Sequence, residues 1–584
     1  MRTRTNPSNR KAKGYALVMV LILAGIALLV MSASMNWTSS TALLNERNNQ
    51  LSVTLSAAEA ATEKAVTRML TDFKAGNESA VYNNLVVYRT NIPTPSESAH
   101  WTNFAFSDAQ GGTNRTYVER TATQVYTTLS GQYAGLSGFA STYRVLSNAR
   151  QTSGRFVLTN AVQQDIQLAS IPVFQFAIFY NSLLEFTWAA PFTVRGRVHA
   201  NANVYTGSAA PLLFKDVVTA TGVIQKQGWG GYSLSAMTGS ITYQDRKTTN
   251  VSSLVLPIGT NNTAAAVREV INIPPASELM TSPMGQQRYY NKAELVILIS
   301  NSTVTASVKQ PFSSLSTPIP SVQVTNFVST DLTFTDQRED KTVRTTQIDV
   351  GRLSTWAATN AAVIATLGVR TPPSVLYIAD MRTTSSRTMN GVRLVNGQTL
   401  PTRGLTVATP NPIYVRGHFN CPVDTHLGTT NTTATRPASL VSDALTILSP
   451  AWNDSQSSGS FLNRDAANTT VNAAILTGTV YSAGSTGSAP FSGGVMNLPR
   501  LLEDWGNGAV RLTLNGSIIN LFNSVQAAAA WQTPGVYYYA PTRDFNFDQN
   551  FLDVTKLPPG TPVLRTLIRG SWGNPIANVT NSSG

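Results

Sequence analysis

Seventeen consecutive apolar or small residues, YALVMVLILAGIALLVM from Tyr15 to Met31, constrain this chain more than any other stretch. As a helix they span about 26 Å, the short end of what crosses the hydrocarbon of a bilayer, and Ser32 to Met35 are small and weakly polar enough to extend it. Five basic residues and no acid precede them (Arg2, Arg4, Arg10, Lys11, Lys13), followed by Gly14. A basic flank holds the N-terminus in the cytoplasm and sends the remainder across. No proline occurs between Pro7 and Pro93. Beyond Met31 the apolar positions Leu43, Leu44, Leu51, Leu55, Ala58, Ala61, Ala65, Met69 and Phe73 keep near-helical spacing. One helix from Tyr15 to Phe73 would measure roughly 90 Å.

Three readings fit the N-terminus. Ser32-Ala33-Ser34 is compatible with a secretory cleavage site. The run also suits a plain membrane anchor, or a short basic leader cut directly after glycine with the apolar helix retained. A cleavable signal has no reason to continue in phase into a long amphipathic helix, which favours retention.

At 584 residues the chain exceeds one ordinary core, and 42% hydrophobic content excludes a disordered chain. Charged residues make up only 12%, about half the usual share, with Thr, Ser, Asn and Gly in their place, a composition suited to strands, turns and an exported surface. The formal charge is +13, and the +8 left after the leader is spread along the chain, which does not mark a nucleic-acid interface. A single cysteine, Cys421, excludes an intrachain disulfide.

Residues 77–100 are polar and hold Pro93 and Pro95, the end of the stalk and a linker. From about Thr116 the pattern alternates as strands up to Pro172. The pattern apolar-x-Gly-x-apolar then recurs at Val194–Val198, Val415–Phe419, Leu476–Val480 and Leu514–Ile518 among short strands, which predicts stacked rungs of a β-solenoid, with a β-sandwich as the alternative. The expected class is α+β, a long N-terminal helix followed by a mainly β head. The expected divisions are a basic leader (1–14), a transmembrane and stalk helix (15–76), a linker and small sheet (77–170), a first part of the head (171–260), an inserted α+β lobe (261–400), a C-terminal solenoid-like part (401–572) and a flexible tail (573–584).

The stretch KGYALVMVLILAGIALLVMSAS…NNQLSVTLSAAEAATEKAV resembles the N-terminal domain of PilX-type minor pilins, whose apolar segment is followed by a Gln-rich turn and an AAEA box, here Ala57-Ala58-Glu59-Ala60. The resemblance covers about residues 10–75. It implies that prepilin peptidase cuts after Gly14, so that Tyr15 becomes the N-terminus in place of the usual Phe. It implies anchoring in the inner membrane through Tyr15, Leu17, Val20, Leu23, Leu28 and Met31, a periplasmic or extracellular head, and other pilins or pseudopilins as partners. The fifth position after the cut is Met19, where most pilins carry a glutamate that neutralises a neighbour's terminal amine. A chain lacking that acid is expected at a fibre tip or in a minor position, as for the large glutamate-lacking pseudopilin of type II secretion. GRVHANANVYTG, RYYNKAELVI, FTDQRED and GGVMNLPRLLEDWGNG also look like large PilX-like exported proteins.

Sites for chemistry are sparse. His418, Cys421, Asp424 and His426 have metal-type ligands close together, but His418 sits in a Gly-centred strand and the others in the loop after it. Asp544, Asn546 and Asp548 imitate the alternating oxygen ligands of a calcium loop without its sixth-position glycine or terminal glutamate, so calcium is the one candidate ion. No GxSxG, HExxH, P-loop or dinucleotide fingerprint occurs. Glu503-Asp504 and Glu339-Asp340 stand in short helix or loop contexts, and Tyr537-Tyr538-Tyr539 with Trp531 fits closing packing better than a sugar platform. The expected function is non-enzymatic, in pilus assembly, adhesion or secretion. The alternatives are a membrane-anchored carbohydrate-active β-helix enzyme and a surface adhesin or DNA-capturing pilin.

Overall fold

A computed structural model describes residues 15–108, 110–188, 190–227, 234–482, 491–531 and 535–575. One helix, α1 (Tyr15–Ala75), opens the chain and runs unbroken for 61 residues. After three short helical segments come four antiparallel strands, β1 (Phe104–Ser107), β2 (Tyr117–Thr128), β3 (Ser137–Gln151) and β4 (Thr159–Pro172). The two long ones, β3 and β4, pair along twelve residues and carry the second half of α1 on one face. The fifth strand of this sheet is the last described strand, Val563–Gly573, antiparallel to β4. The whole head is therefore inserted between two neighbouring strands of the sheet that holds the helix. The sequence alone places residues up to 572 with the C-terminal part of the head, because alternation identifies a strand but not its distant partner.

The head begins with turns of chain that repeat their register every 20 residues. The first turn holds β5 (Ile178–Tyr180), β6 (Leu184–Trp188) and β7 (Phe192–Val194), the second β8 (Val198–Ala200), β9 (Val204–Ser208) and β10 (Leu212–Phe214), and the third, lengthened to 29 residues, β11 (Val218–Ala220), β12 (Ile224–Gln225) and β13 (Ile241–Tyr243), before β14 (Lys247–Thr248) lies on β11 as the start of a further turn. Ile178, Val198 and Val218 are successive parallel partners, and so are Leu184, Val204 and Ile224. Each turn lays like on like. The rings of Phe179 and His199 stack at 5.3 Å between centroids, and those of Phe214 and Tyr243 at 5.1 Å. A sandwich would instead pair sequence neighbours antiparallel.

The chain then crosses to the opposite end of the head and winds back. Strands β15 (Leu295–Ile299), β16 (Val304–Lys309) and β17 (Ser316–Ile319) form an antiparallel edge. A hairpin follows, β18 (Val328–Asp336) and β19 (Lys341–Asp349), and then β20 (Val375–Asp380), β21 (Thr388–Val395), β22 (Leu405–Ala408), β23 (Ile413–Arg416), β24 (Ala438–Ser442), β25 (Leu445–Leu448), β26 (Thr469–Thr477), β27 (Arg511–Asn520) and β28 (Thr542–Phe547). β15, β20, β22, β24, β26 and β27 stack in parallel, and Ile518 of β27 meets Ile178 of β5, so one sheet of thirteen strands runs through both arms of the head. A second sheet, β18-β19-β21-β23-β25, faces it. Residues 261–400, expected as an inserted lobe, thread strands into both sheets. Their helix-strand pattern looked local because the partners lie in later rungs.

The last described strand, β29 (Val563–Gly573), starts beside Pro172 and Val173, just ahead of β5. The Gly motif does not mark one repeated element: Val194–Val198 turns the corner from β7 to β8, whereas Leu514–Ile518 lies inside β27. Gly196 has φ +91 and Gly516 lies so close to the neighbouring rung that a Cβ would sit 1.9 Å from the Ala473 carbonyl oxygen. One glycine supplies a left-handed turn and the other a close backbone approach, two unrelated needs sharing one pattern.

Candidate membrane and assembly helix

The two halves of α1 live in different surroundings. From Tyr15 to Asn49 no residue is buried, and from Gln50 to Phe73 the face formed by Gln50, Thr54, Ala57, Ala58, Ala61, Thr62, Ala65, Val66, Met69 and Phe73 is buried against the sheet. The alanines of the AAEA box explain the change. Ala57 and Ala58 let the helix approach Ala149 of β3 and Val162 of β4, while Met69 and Phe73 fill the wider space higher up with Tyr143, Ile166 and Leu168.

Polar contacts fix the height of the sheet on the helix. Gln50 bonds the backbone of Phe156 in both directions, and Asn160 donates to the Leu51 carbonyl (2.6 Å) and the Thr54 hydroxyl (2.8 Å). β29 grips the helix twice. Arg569 makes a two-pronged ion pair with Glu63, at 2.5 and 2.8 Å. Arg565 donates to the Phe73 carbonyl at 3.1 Å and lies over the Phe73 ring, and burial lowers its guanidinium to about 10. At the top of the stalk Glu78 accepts from the Tyr143 hydroxyl (2.7 Å) and pairs with Arg120 (3.1 Å).

Tyr15 to Asn45 has no such partners among the described residues. Leu17, Met19, Val20, Leu23, Leu28 and Met31 are all exposed, and the helix is apolar on every side, a surface that water does not tolerate and that lipid or other helices cover. No charged residue occurs from Tyr15 to Asn45. That charge-free length is about 46 Å as helix, close to the full thickness of a bilayer with its headgroups. Trp37, 76% exposed, stands towards the head-side end of the run and Tyr15 at the other end, and amphipathic rings of this kind collect at membrane surfaces. The first charged residue after the run, Glu46, faces Arg155 of the head at 3.5 Å. Gly14 lies outside the described residues; Tyr15 is the first residue of the helix.

The other sequence candidates are dispersed. Cys421 is buried, His418 Nδ1 accepts the Thr470 amide (3.1 Å), Asp424 accepts from Gln398 (2.7 Å) and His426 meets Asn431 (3.1 Å). Among the described residues no group of three His, Cys, Asp or Glu is placed to hold a metal. Asn546 belongs to an amide ladder. It donates to Asn515 (3.3 Å), and Asn515 donates to Asn472 (2.8 Å), three residues in register across β28, β27 and β26. Asp548 accepts from the Thr432 hydroxyl (2.9 Å) and the Asn550 amide (3.1 Å), and Asp544 faces Arg511 at 3.6 Å.

Glu339 pairs with Arg500 at 2.6 Å, both buried. Glu503 is buried and accepts the Ser449 amide and hydroxyl at 2.6 and 2.7 Å, and burial pushes it up to about 7. Asp504 accepts the Gly506 amide. Sequence reasoning missed Asp443, fully buried, which gathers Arg268 (2.8 Å) and the amides of Val525, Gln526 and Ala527. Nothing around Asp443 in the sequence distinguishes it from a turn aspartate, since its partners lie more than 80 residues away.

No protein-family profile and no curated protein matches the chain. Among solved structures, the crystal structure of competence-associated pilin ComZ from Thermus thermophilus aligns over 89% of this chain and 97% of that one, at 11% identity and a TM-score of 0.29. At that TM-score nothing about the fold or the role of this chain follows from the likeness.

Proposed function

We propose that the chain is a non-enzymatic, minor-pilin-like protein of a type IV pilus or type II secretion pseudopilus, of the PilX type. In this reading it is anchored in the inner membrane by Tyr15 to Met31, with Gly14 cut by prepilin peptidase and the head outside. The observation that carries it is the division of α1: a charge-free half with no partner among the described residues, continuous with a half clamped on an antiparallel sheet. A rigid 61-residue rod of that kind transfers its apolar half from lipid to a bundle of similar helices without refolding anything above Gln50. Met19 leaves the helix no acid to receive a neighbour's amine, which suits a tip or minor position, because an unpaired amine inside the bundle is costly.

The head is read as a β-solenoid on the strength of its 20-residue register. Its extended sheet carries assembly or adhesion contacts outward. N-terminal sequencing of the mature protein, from cells with and without prepilin peptidase, tests the proposal. A start at Tyr15 that depends on the peptidase supports it. A start near Met35, or an intact Met1, overturns it.

A further inference from the structure

The loops beside β17 carry apolar side chains that nothing among the described residues covers. Leu315 is 82% exposed, and Val322 and Val369 are 73% exposed each. Hydrogen bonds tie these loops into one face around the helix Ala361–Leu367. Gln310 Nε2 donates to the Thr366 carbonyl (2.6 Å), the Thr317 and Thr366 hydroxyls meet at 3.2 Å, and Asn360 donates to Gln323 (2.7 Å). Phe312 belongs to the same face. Its ring is 45% exposed, and its backbone has φ +57, in the left-handed region where glycine is the usual residue. Pro311 leads into that turn, which the Ser313 amide closes on the Gln310 carbonyl (3.1 Å). With the ring half in water, packing offsets only part of the cost of holding a phenylalanine there.

The face is also nearly free of charge. Residues 310–330 and 353–369 contain no charged side chain, and the second stretch is bounded by Arg352 and Arg370. Arg352 pairs with Asp349 at 3.6 Å, whereas Arg370 is exposed and has no partner among the described residues. Strand addition at this edge is disfavoured. The Lys309 amide points away from β17, to the Glu294 carbonyl (2.9 Å), so the antiparallel alternation turns Ser316 and Pro318 outward on β17. Pro318 brings no N–H to that edge, and a further strand finds an incomplete ladder.

We infer that this face of the head docks on a lipid surface with anionic headgroups. Leu315 and Phe312, Val322 and Val369 are knobs on three separate loops. A rigid protein partner needs a preformed hole for each knob, whereas a lipid surface yields to all of them at once and rewards the apolar area buried. The lack of acid in both stretches removes the repulsion that anionic headgroups meet on an acidic face, and Arg370 complements their charge. The inference concerns the head alone and is independent of the pilin reading of the N-terminal helix.

The test uses the full-length chain with its N-terminal helix held in a phosphatidylcholine nanodisc, so that the head is what meets added vesicles. Co-flotation is measured with vesicles of phosphatidylcholine alone and with vesicles containing about 30% phosphatidylglycerol. About fivefold more protein is expected to float with the anionic vesicles, and less as salt is raised. Leu315→Ser and Phe312→Gly each reduce that flotation about fivefold. Phe312→Gly also relieves the left-handed backbone, so its melting temperature is expected to hold or rise while binding is lost. Arg370→Gln removes the preference for anionic vesicles. Absent flotation with the anionic vesicles, equal flotation with both kinds, or unchanged flotation of either folded apolar variant overturns the inference. So does association of the nanodisc-held chains with one another that Leu315→Ser abolishes, which makes a second copy the occupant.

Discussion

Glu503 and His199 show how the interior of the head responds to pH. Burial raises Glu503 to about 7, so the folded chain holds a proton there that an unfolded glutamate releases near pH 4.5. Stability from this group is complete below about 4.5 and declines as pH rises towards 7, by on the order of 3 kcal/mol at most. Glu503→Gln is therefore expected to raise the melting temperature by about 2–5 °C at pH 8 and to leave it unchanged at pH 4, measured by calorimetric scans. His199 has the opposite sign. Burial lowers it to about 4, with Thr219 and Asn201 on its two ring nitrogens, so its stabilisation is present above pH 6.5 and lost as pH falls towards 4. The amide ladder gives a second expectation. Asn515→Ala leaves the buried Asn472 oxygen and the Thr429 carbonyl without their donor, at a cost of about 2–4 kcal/mol, read as a lower denaturant midpoint. Calcium, titrated on the wild type, is expected to leave the melting temperature where it is, because the Asp548 and Asn546 side chains already have protein partners. The alternating oxygens at 544, 546 and 548 were legible in the sequence. What lay opposite them was not, since an amide ladder and a calcium loop both place oxygens at every second residue.

Among the elements, β29 matters out of proportion to its length. It closes the sheet beside β4 and holds α1 through Arg565 and Arg569. Ending the chain after Thr561 is expected to expose the β4 edge and remove one of the supports of the helix, leaving β3, β4 and the segments before them. The measurement is limited proteolysis, with cleavage within residues 77–172 appearing in the shortened chain and absent from the full one. By contrast, Glu63→Gln removes an ion pair whose two side chains are about half exposed, and its cost is below about 1 kcal/mol. The long helix could be read in advance because 3.6-residue periodicity is local and uninterrupted by proline. The 20-residue turns were harder. Val198 and Val218 share a column, yet the eye is drawn to Gly196, Gly417, Gly478 and Gly516, which recur without occupying equivalent places. Register in a parallel stack is set by side chains on the next turn, and a linear pattern search weights nearest neighbours instead.

For the molecule as a whole, the membrane run and the head meet at a defined height. α1 carries no charge from Tyr15 to Asn45, and the first acid after it, Glu46, already faces Arg155 of the head. In the proposed reading a bilayer centred near Leu23 has its outer surface close to Trp37, a few residues below the folded part. If that placement is right, the penalty for a new charge depends steeply on its position. Lysine at the centre of a membrane helix costs about 3 kcal/mol, whereas near the surface its long side chain reaches the headgroups. Leu23→Lys is thus expected to move a large part of the protein out of the carbonate-resistant membrane fraction. Ser39→Lys, sixteen residues further along the same exposed helix and two beyond Trp37, is expected to leave the fraction unchanged. Neither residue touches the head, so the contrast separates lipid placement from folding. Equal sensitivity at both positions would shift the membrane surface towards Glu46, and equal tolerance would mean that this helix does not cross the bilayer.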